Sequence, residues 1–193
     1  MSTVKANNID SRDLNTTIDI PSPYVLYTPG SVIQVVQTYL QDPFTSSVSS
    51  TYNVYTDITG LAATITPSST SSKIYISVKW AGEMANYSSL LWNTMFNLKR
   101  NGTLIGQPSQ PGSLTIGIMI ANMSYYVDDN SSTPEMCMFD YYDSPASTSA
   151  LTYQVTVSGQ TAGTLYTNRC VNGALTGDYQ RTTSSIILME IAG

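Results

Sequence analysis

Residue types that commonly carry out catalysis are sparse in this sequence. Its 193 residues include no histidine, which excludes Ser-His-Asp triads, Cys-His pairs and histidine metal sites. A pair of carboxylates is the remaining route, since two acids suffice to hydrolyse a glycoside. The candidate acids are Glu83, Glu135, Asp140 and Asp143. Because 13 acidic residues place some pairs close together by chance, we expect no catalytic residue and no enzyme activity.

The run Asp128-Asp129-Asn130-Ser131 brings together several side-chain oxygens of the kind that bind metal ions. Ca²⁺ prefers carboxylate and carbonyl oxygens on flexible loops, which makes Asp128 and Asp129 the candidate ligands. A turn exposed to solvent has the same composition and is the simpler interpretation. We therefore expect no metal and no cofactor.

Tyrosine gives a stronger functional indication than the acids, because the chain has 14 Tyr. Tyrosine presents a flat, amphipathic surface that suits subunit contacts and sugar stacking. Tyr125, Tyr126, Tyr141 and Tyr142 are the candidate contacts with a glycan or protein partner. Tyr166 is a candidate subunit contact. Packing within one subunit is the alternative for all five.

The composition excludes several other functions. Charged residues make up only 11% of the chain, and Ser and Thr together about a quarter, which favours strands and turns. The aromatic residues favour turns between packed strands over disorder as the reason for the Ser and Thr, because disordered chains have few aromatic residues. The net charge of −5 and the scattered Lys and Arg indicate no nucleic-acid partner.

The sequence predicts neither a signal peptide nor a membrane-spanning segment. The first eight residues lack the apolar stretch of a signal peptide, and no run reaches the roughly 18 apolar residues that span a bilayer. We expect a protein that is neither secreted through a signal peptide nor inserted in a membrane. In that setting Cys137 and Cys170 are predicted to be free, buried thiols.

The strands that carry these residues are predicted from the alternation of apolar and polar residues. Residues 73–80 place Ile74, Ile76, Val78 and Trp80 on one face, the period of a half-buried strand, and residues 151–157 repeat the pattern. Asn101-Gly102 after residues 92–98 predicts a tight hairpin into residues 103–105. Further predicted strands cover residues 32–40, 52–58, 61–66, 114–127, 135–142, 164–168 and 183–191. Residues 86–97 have room for a short helical turn.

Two segments stand apart from this pattern. Residues 1–28 carry charge and few large apolar groups before Pro29, which predicts an extended N-terminal arm used for attachment or swapping. The last strand is apolar on both faces, so we expect it to lie against the core on one side and another subunit on the other. The interface candidates are Ile186, Ile187, Leu188, Met189, Ile191 and Tyr166. A position wholly inside one sandwich is the alternative for this strand.

Four stretches of the body resemble the C-terminal modules of tailed-phage virion proteins. They are residues 57–67, 71–76, 96–106 and 184–193. The resemblance covers residues 29–193 and implies an all-β, antiparallel β-sandwich of the jelly-roll type, related to the tumour-necrosis-factor and C1q fold. It also implies a homotrimer. These stretches are scaffold motifs without chemistry, so they indicate fold better than function.

The resemblance implies a virion structural protein, assembled in the host cytoplasm. Residues 1–28 are expected to anchor a capsid decoration (cement) protein or a short head fibre on the major capsid protein or another virion protein. The jelly roll would then project outward. Fibres with this module have a long shaft, whereas about thirty residues precede the body here. The alternative is a receptor-binding knob that recognises host surface glycans.

Overall fold

A computed structural model describes residues 28–51, 53–84, 94–110, 112–121, 132, 134–177 and 179–193. The predicted arm up to residue 27, residues 86–93 of the predicted helical turn, Tyr125, Tyr126, Asp128 and Asp129 lie outside these residues. The end of that predicted turn, residues 95–97, is strand and not helix. The described chain forms two antiparallel β-sheets that pack against each other.

Sheet A contains β1 (Val32–Leu40), β2 (Phe44–Val48), β4 (Lys73–Met84), β8 (Glu135–Asp143), β10 (Gly163–Thr167) and β11 (Ser184–Ile191). Sheet B contains β3 (Thr56–Ile65), β5 (Met95–Arg100), β6 (Thr103–Ile105), β7 (Met119–Ile120) and β9 (Leu151–Ser158).

The long strand β4 organises sheet A. One edge of β4 pairs with β8, and the other pairs with β11 along one half and with β10 along the other. β1 then extends the sheet beyond β11, and β2 extends it beyond β10. In sheet B the order is β3-β9-β5, with β6 and β7 both paired to β5. The chain passes repeatedly between the two sheets, and the predicted all-β, antiparallel β-sandwich is confirmed.

The core lies between the sheets, where alternate residues of each strand point inward. Trp80 of sheet A meets Phe96 of sheet B with ring centroids 5.0 Å apart, and its indole nitrogen donates a hydrogen bond to the Thr167 hydroxyl at 2.9 Å. Cys137 lies opposite Trp80 on β8, and burial raises the pKa of its thiol to about 12. Cys137 and Cys170 are both free and buried, as predicted.

The Asn101-Gly102 hairpin is also confirmed. Both residues have positive φ angles, 48° and 82°, and Arg100 pairs with Thr103 across the turn. Left-handed backbone at both central positions gives the turn a twist that matches its strands.

Three strands differ from the sequence-based prediction. β2 was not predicted, because Ser46 and Ser47 interrupt the apolar alternation. β3 continues through Gly60 as a bulge, in which the Gln154 amide donates to the carbonyl oxygens of Ile58 and Leu61 at 2.9 and 3.2 Å. Within the described part of residues 114–127, only Met119–Ile120 forms a strand.

Candidate interaction surface

The outer face of sheet A, which points away from the core, carries a large group of exposed or half-buried apolar side chains. Strand alternation places one set of side chains on it, and we call this set the sheet A outer face. Its large apolar members are Val32, Val35 and Tyr39 of β1, Ile187, Met189 and Ile191 of β11, Tyr75 of β4, and Met136, Met138 and Tyr142 of β8.

The pairing register between neighbouring strands places these side chains next to one another in a continuous surface. Val35 pairs with Met189, Met189 with Tyr75, and Tyr75 with Tyr142, so one apolar row crosses four strands. The two ends of the row are well exposed, at 56% for Val35 and 54% for Tyr142. Contiguous apolar patches on a soluble protein commonly mark an interaction site.

The same face contains a hollow and a small polar group. Met136 and Met138 line the hollow with Lys79, Ala81, Thr182 and Thr183, and its volume is about 300 Å³. Nearby, the Asp140 carboxylate raises the pKa of the Tyr75 hydroxyl. Methionines adapt their shape to a partner, while polar groups among them favour one docking register.

The outer face of sheet B has a different character. It carries Asp57, Thr64 and Ala62 of β3, Thr152, Gln154 and Thr156 of β9, and Asn97 and Lys99 of β5. The Thr64 and Thr152 hydroxyls hydrogen-bond at 2.8 Å, and Lys99 pairs with Asp57 at 2.7 Å. Sheet B also exposes large apolar side chains, Met119 and Ile120, at 40% and 54%, but they lie on the short strand β7.

The structure narrows the set of interface residues predicted on the last strand. Ile187, Met189 and Ile191 belong to the sheet A outer face. Ile186 and Leu188 are 0% exposed and lie in the core, so naming them as interface residues was wrong. The period of two explains the division, because neighbouring residues of one strand point to opposite faces.

The predicted tyrosine contacts separate in the same way. Tyr142 is exposed on the sheet A outer face, whereas Tyr141 pairs with Ile76 and is partly buried against the core. Tyr166 lies beneath the guanidinium of Arg169, whose central carbon is 4.5 Å from the ring centroid.

The four candidate hydrolytic acids do not face one cleft. Glu135 and Asp143 point inward from opposite ends of β8, about 26 Å apart at about 3.3 Å per residue. Glu135 accepts a hydrogen bond from the Met84 amide at 3.2 Å, and Glu83 accepts one from the Val171 amide at 2.5 Å. Among the described residues, no group of three or more Cys, Asp or Glu is arranged to hold a metal ion.

Asp143 is held by hydrogen bonds from Arg100 and Tyr153. Both of its carboxylate oxygens accept hydrogen bonds from Arg100 Nη1, at 2.9 and 2.8 Å, and Tyr153 donates to Oδ2 at 2.7 Å. The bond to Asp143 raises the pKa of Arg100. Burial and the same carboxylate raise the pKa of the Tyr153 hydroxyl. These contacts tie the end of sheet A to sheet B.

Glu190 is a further buried carboxylate, and its role was not predicted from the sequence. Its side chain is 0% exposed. Oε1 accepts hydrogen bonds of 2.7 Å from the Ser68 amide, the Ser68 hydroxyl and the Ser72 hydroxyl, and Oε2 accepts one of 2.6 Å from the Gln34 amide. Burial alone would raise the pKa of Glu190, but these hydrogen bonds outweigh burial and lower the pKa. Glu190 thus fastens the turn before β4 to β11 and β1.

We expect the Glu190→Gln substitution to lower the free energy of unfolding by about 2 kcal/mol at neutral pH, since the new amide cannot accept all four bonds. The wild-type carboxylate contributes stability above its ordinary pKa of 4.5. That contribution is lost as the pH falls through the lower folded-state pKa. Urea unfolding between pH 7 and pH 3 measures both effects.

Asp57→Asn is the matched acid-to-amide control, because Asp57 forms an exposed ion pair with Lys99. Exposed pairs of this kind contribute about 0–1 kcal/mol. An equal loss in both variants, or an unchanged pH dependence in Glu190→Gln, would contradict the assigned role of Glu190.

No family model and no curated protein matches this chain. Within the described residues, no helix is long and apolar enough to span a membrane.

Proposed function

We propose that this protein is a structural component of a virus particle that assembles as a homotrimer through the sheet A outer face. The continuous apolar row that crosses four strands of sheet A supports this proposal. Val35, Met138 and Tyr142 are each more than half exposed on sheet A, while Thr and charged pairs occupy the corresponding positions of sheet B.

A second copy of the chain is the partner that fits this face best. The face presents aliphatic, Met and Tyr side chains around few charges, the composition of a subunit interface core. Each apolar Å² removed from water contributes about 25 cal/mol to association. Copies of one chain meet in closed symmetry, so a single face can be buried on every subunit at once. The trimeric state itself rests on the resemblance to phage jelly-roll modules.

The place on a virion rests on the same resemblance and on the N-terminal sequence. Residues 1–28 contain Lys5, Asp10, Arg12, Asp13 and Asp19 among small polar residues. Such a segment suits attachment to a capsid or another virion protein, while the sandwich projects outward. We propose a decoration protein or short head fibre on this basis.

Particle binding tests the proposed role. Purified full-length protein and a variant lacking residues 1–28 are added to particles of the encoding virus that lack the protein, and bound protein is measured after sedimentation. We expect the full-length protein to saturate the particles and the truncated protein to remain in the supernatant with its fold and mass per assembly unchanged. Equal decoration by both proteins would refute anchoring by this segment. Failure of the full-length protein to bind would refute the virion role.

A further inference from the structure

A second surface feature lies at the end of sheet A where the chain leaves β10 and returns to β11. Arg169 and Arg181 face each other there across an antiparallel bridge. The Thr182 amide donates a hydrogen bond of 3.1 Å to the Asn168 carbonyl and closes the base of the loop between β10 and β11. The backbone therefore places the two arginines directly opposite each other.

These arginines border a cleft with an aromatic wall. The cleft has a volume of about 300 Å³ and is lined by Pro43, Phe44, Thr45, Arg169 and Arg181. Arg169 is held in place by stacking on the Tyr166 ring, at 4.5 Å from its centroid. Phe44 is half buried and, with Pro43, gives the cleft apolar lining residues.

The charge arrangement is unusual for this chain. The protein has only 8 Lys and Arg against 13 Asp and Glu. Lys99 and Arg100 both have carboxylate partners, at 2.7 and 2.8 Å. In the part of the chain that the structure describes, neither Arg169 nor Arg181 forms an ion pair. Like charges placed opposite each other across a bridge destabilise it, and a bound anion removes that repulsion.

We propose that this cleft binds a single sugar unit bearing a carboxylate or sulfate group. Two guanidinium groups supply donors suited to an oxyanion, and the lining residues Pro43 and Phe44 offer apolar contacts for a sugar. The volume lies at the lower end of ligand sites, which suits one sugar and not a long chain segment. A nucleic acid would need a longer track of positive charge than two arginines.

The proposal does not depend on the trimer or on the virion role. It predicts a recognition function located on β2 and on the segment between β10 and β11.

Calorimetric titration of the full-length protein at low ionic strength tests the proposal. The probes are glucuronate, glucose 6-sulfate, glucose and inorganic sulfate. We expect saturable binding of the two acidic sugars and none of glucose. Arg181→Gln and Arg169→Gln should each weaken binding at least about tenfold, equivalent to about 1.4 kcal/mol. Arg181→Lys should weaken it less, because it keeps the charge and loses only the planar fork.

Lys79→Gln removes the same charge on the sheet A outer face and serves as the matched control. It should bind the acidic sugars as the wild type does. Arg181 is exposed, so its substitution should leave the urea midpoint unchanged. Absence of acidic-sugar binding, or full binding by the Arg169→Gln/Arg181→Gln double variant, would overturn the proposal. Inorganic sulfate binding as tightly as glucose 6-sulfate would show that the cleft does not recognise the sugar.

Discussion

Glutamate introduced at both Val35 and Tyr142 is expected to convert the assembled protein into monomers of 20.9 kDa. The two side chains end the apolar row that crosses sheet A and are 56% and 54% exposed in the single chain, so their replacement should not disturb the core. In an assembly through this face the new carboxylates would be buried without partners. We expect a penalty of about 3 kcal/mol or more per subunit, or about a 100-fold loss of affinity. Sedimentation velocity measures the change.

The control places the same charges on the opposite side of the sandwich. Thr64 and Thr152 are exposed neighbours on sheet B, and a Thr64→Glu/Thr152→Glu variant adds two carboxylates there. This variant should assemble as the wild type does. The assignment of the interface to sheet A would be wrong if the sheet B variant dissociated or if the sheet A variant kept the wild-type mass.

Gly82→Ala is expected to be the most damaging single-methyl change in the described chain. A Cβ atom at Gly82 would lie 2.0 Å from the Tyr166 carbonyl oxygen and 2.8 Å from the Trp80 ring. Gly82 is paired with Thr167 on one side and Glu135 on the other, so its backbone has little room to move. We expect the free energy of unfolding to fall by about 3 kcal/mol or more, at the upper end of overpacking costs.

Gly177→Ala is the matched control, because no atom lies within 4 Å of a Cβ placed there. Its effect should stay within about 0.5 kcal/mol, as for most surface substitutions. Urea unfolding of both variants checks the comparison. A Gly82→Ala protein as stable as the wild type would mean that β4 and β10 are not packed as closely as described.

Much of the fold could be predicted because burial on one face leaves a period of two in the sequence. β1 and β6 have the predicted bounds, and β9 extends one residue beyond its predicted end. The Asn101-Gly102 turn was equally clear, since few other residue pairs adopt positive φ twice in succession. The division of β11 into a core face and an outer face also follows from alternation.

Other features depend on contacts between distant segments and leave little trace in the sequence. β2 is a short edge strand whose Ser residues conceal its pattern. Glu190 shares the inward parity of Ile186 and Leu188, which was a usable signal, but its partners Ser68 and Gln34 come from distant segments. The pairing of Arg169 with Arg181 likewise requires the fold, because twelve positions separate them.

The mass of the unmodified protein in solution is the most direct test of the proposed assembly through the sheet A outer face. Sedimentation equilibrium at micromolar concentration should give about three times the 20.9 kDa of a single chain. A single species of 20.9 kDa at that concentration would contradict the account.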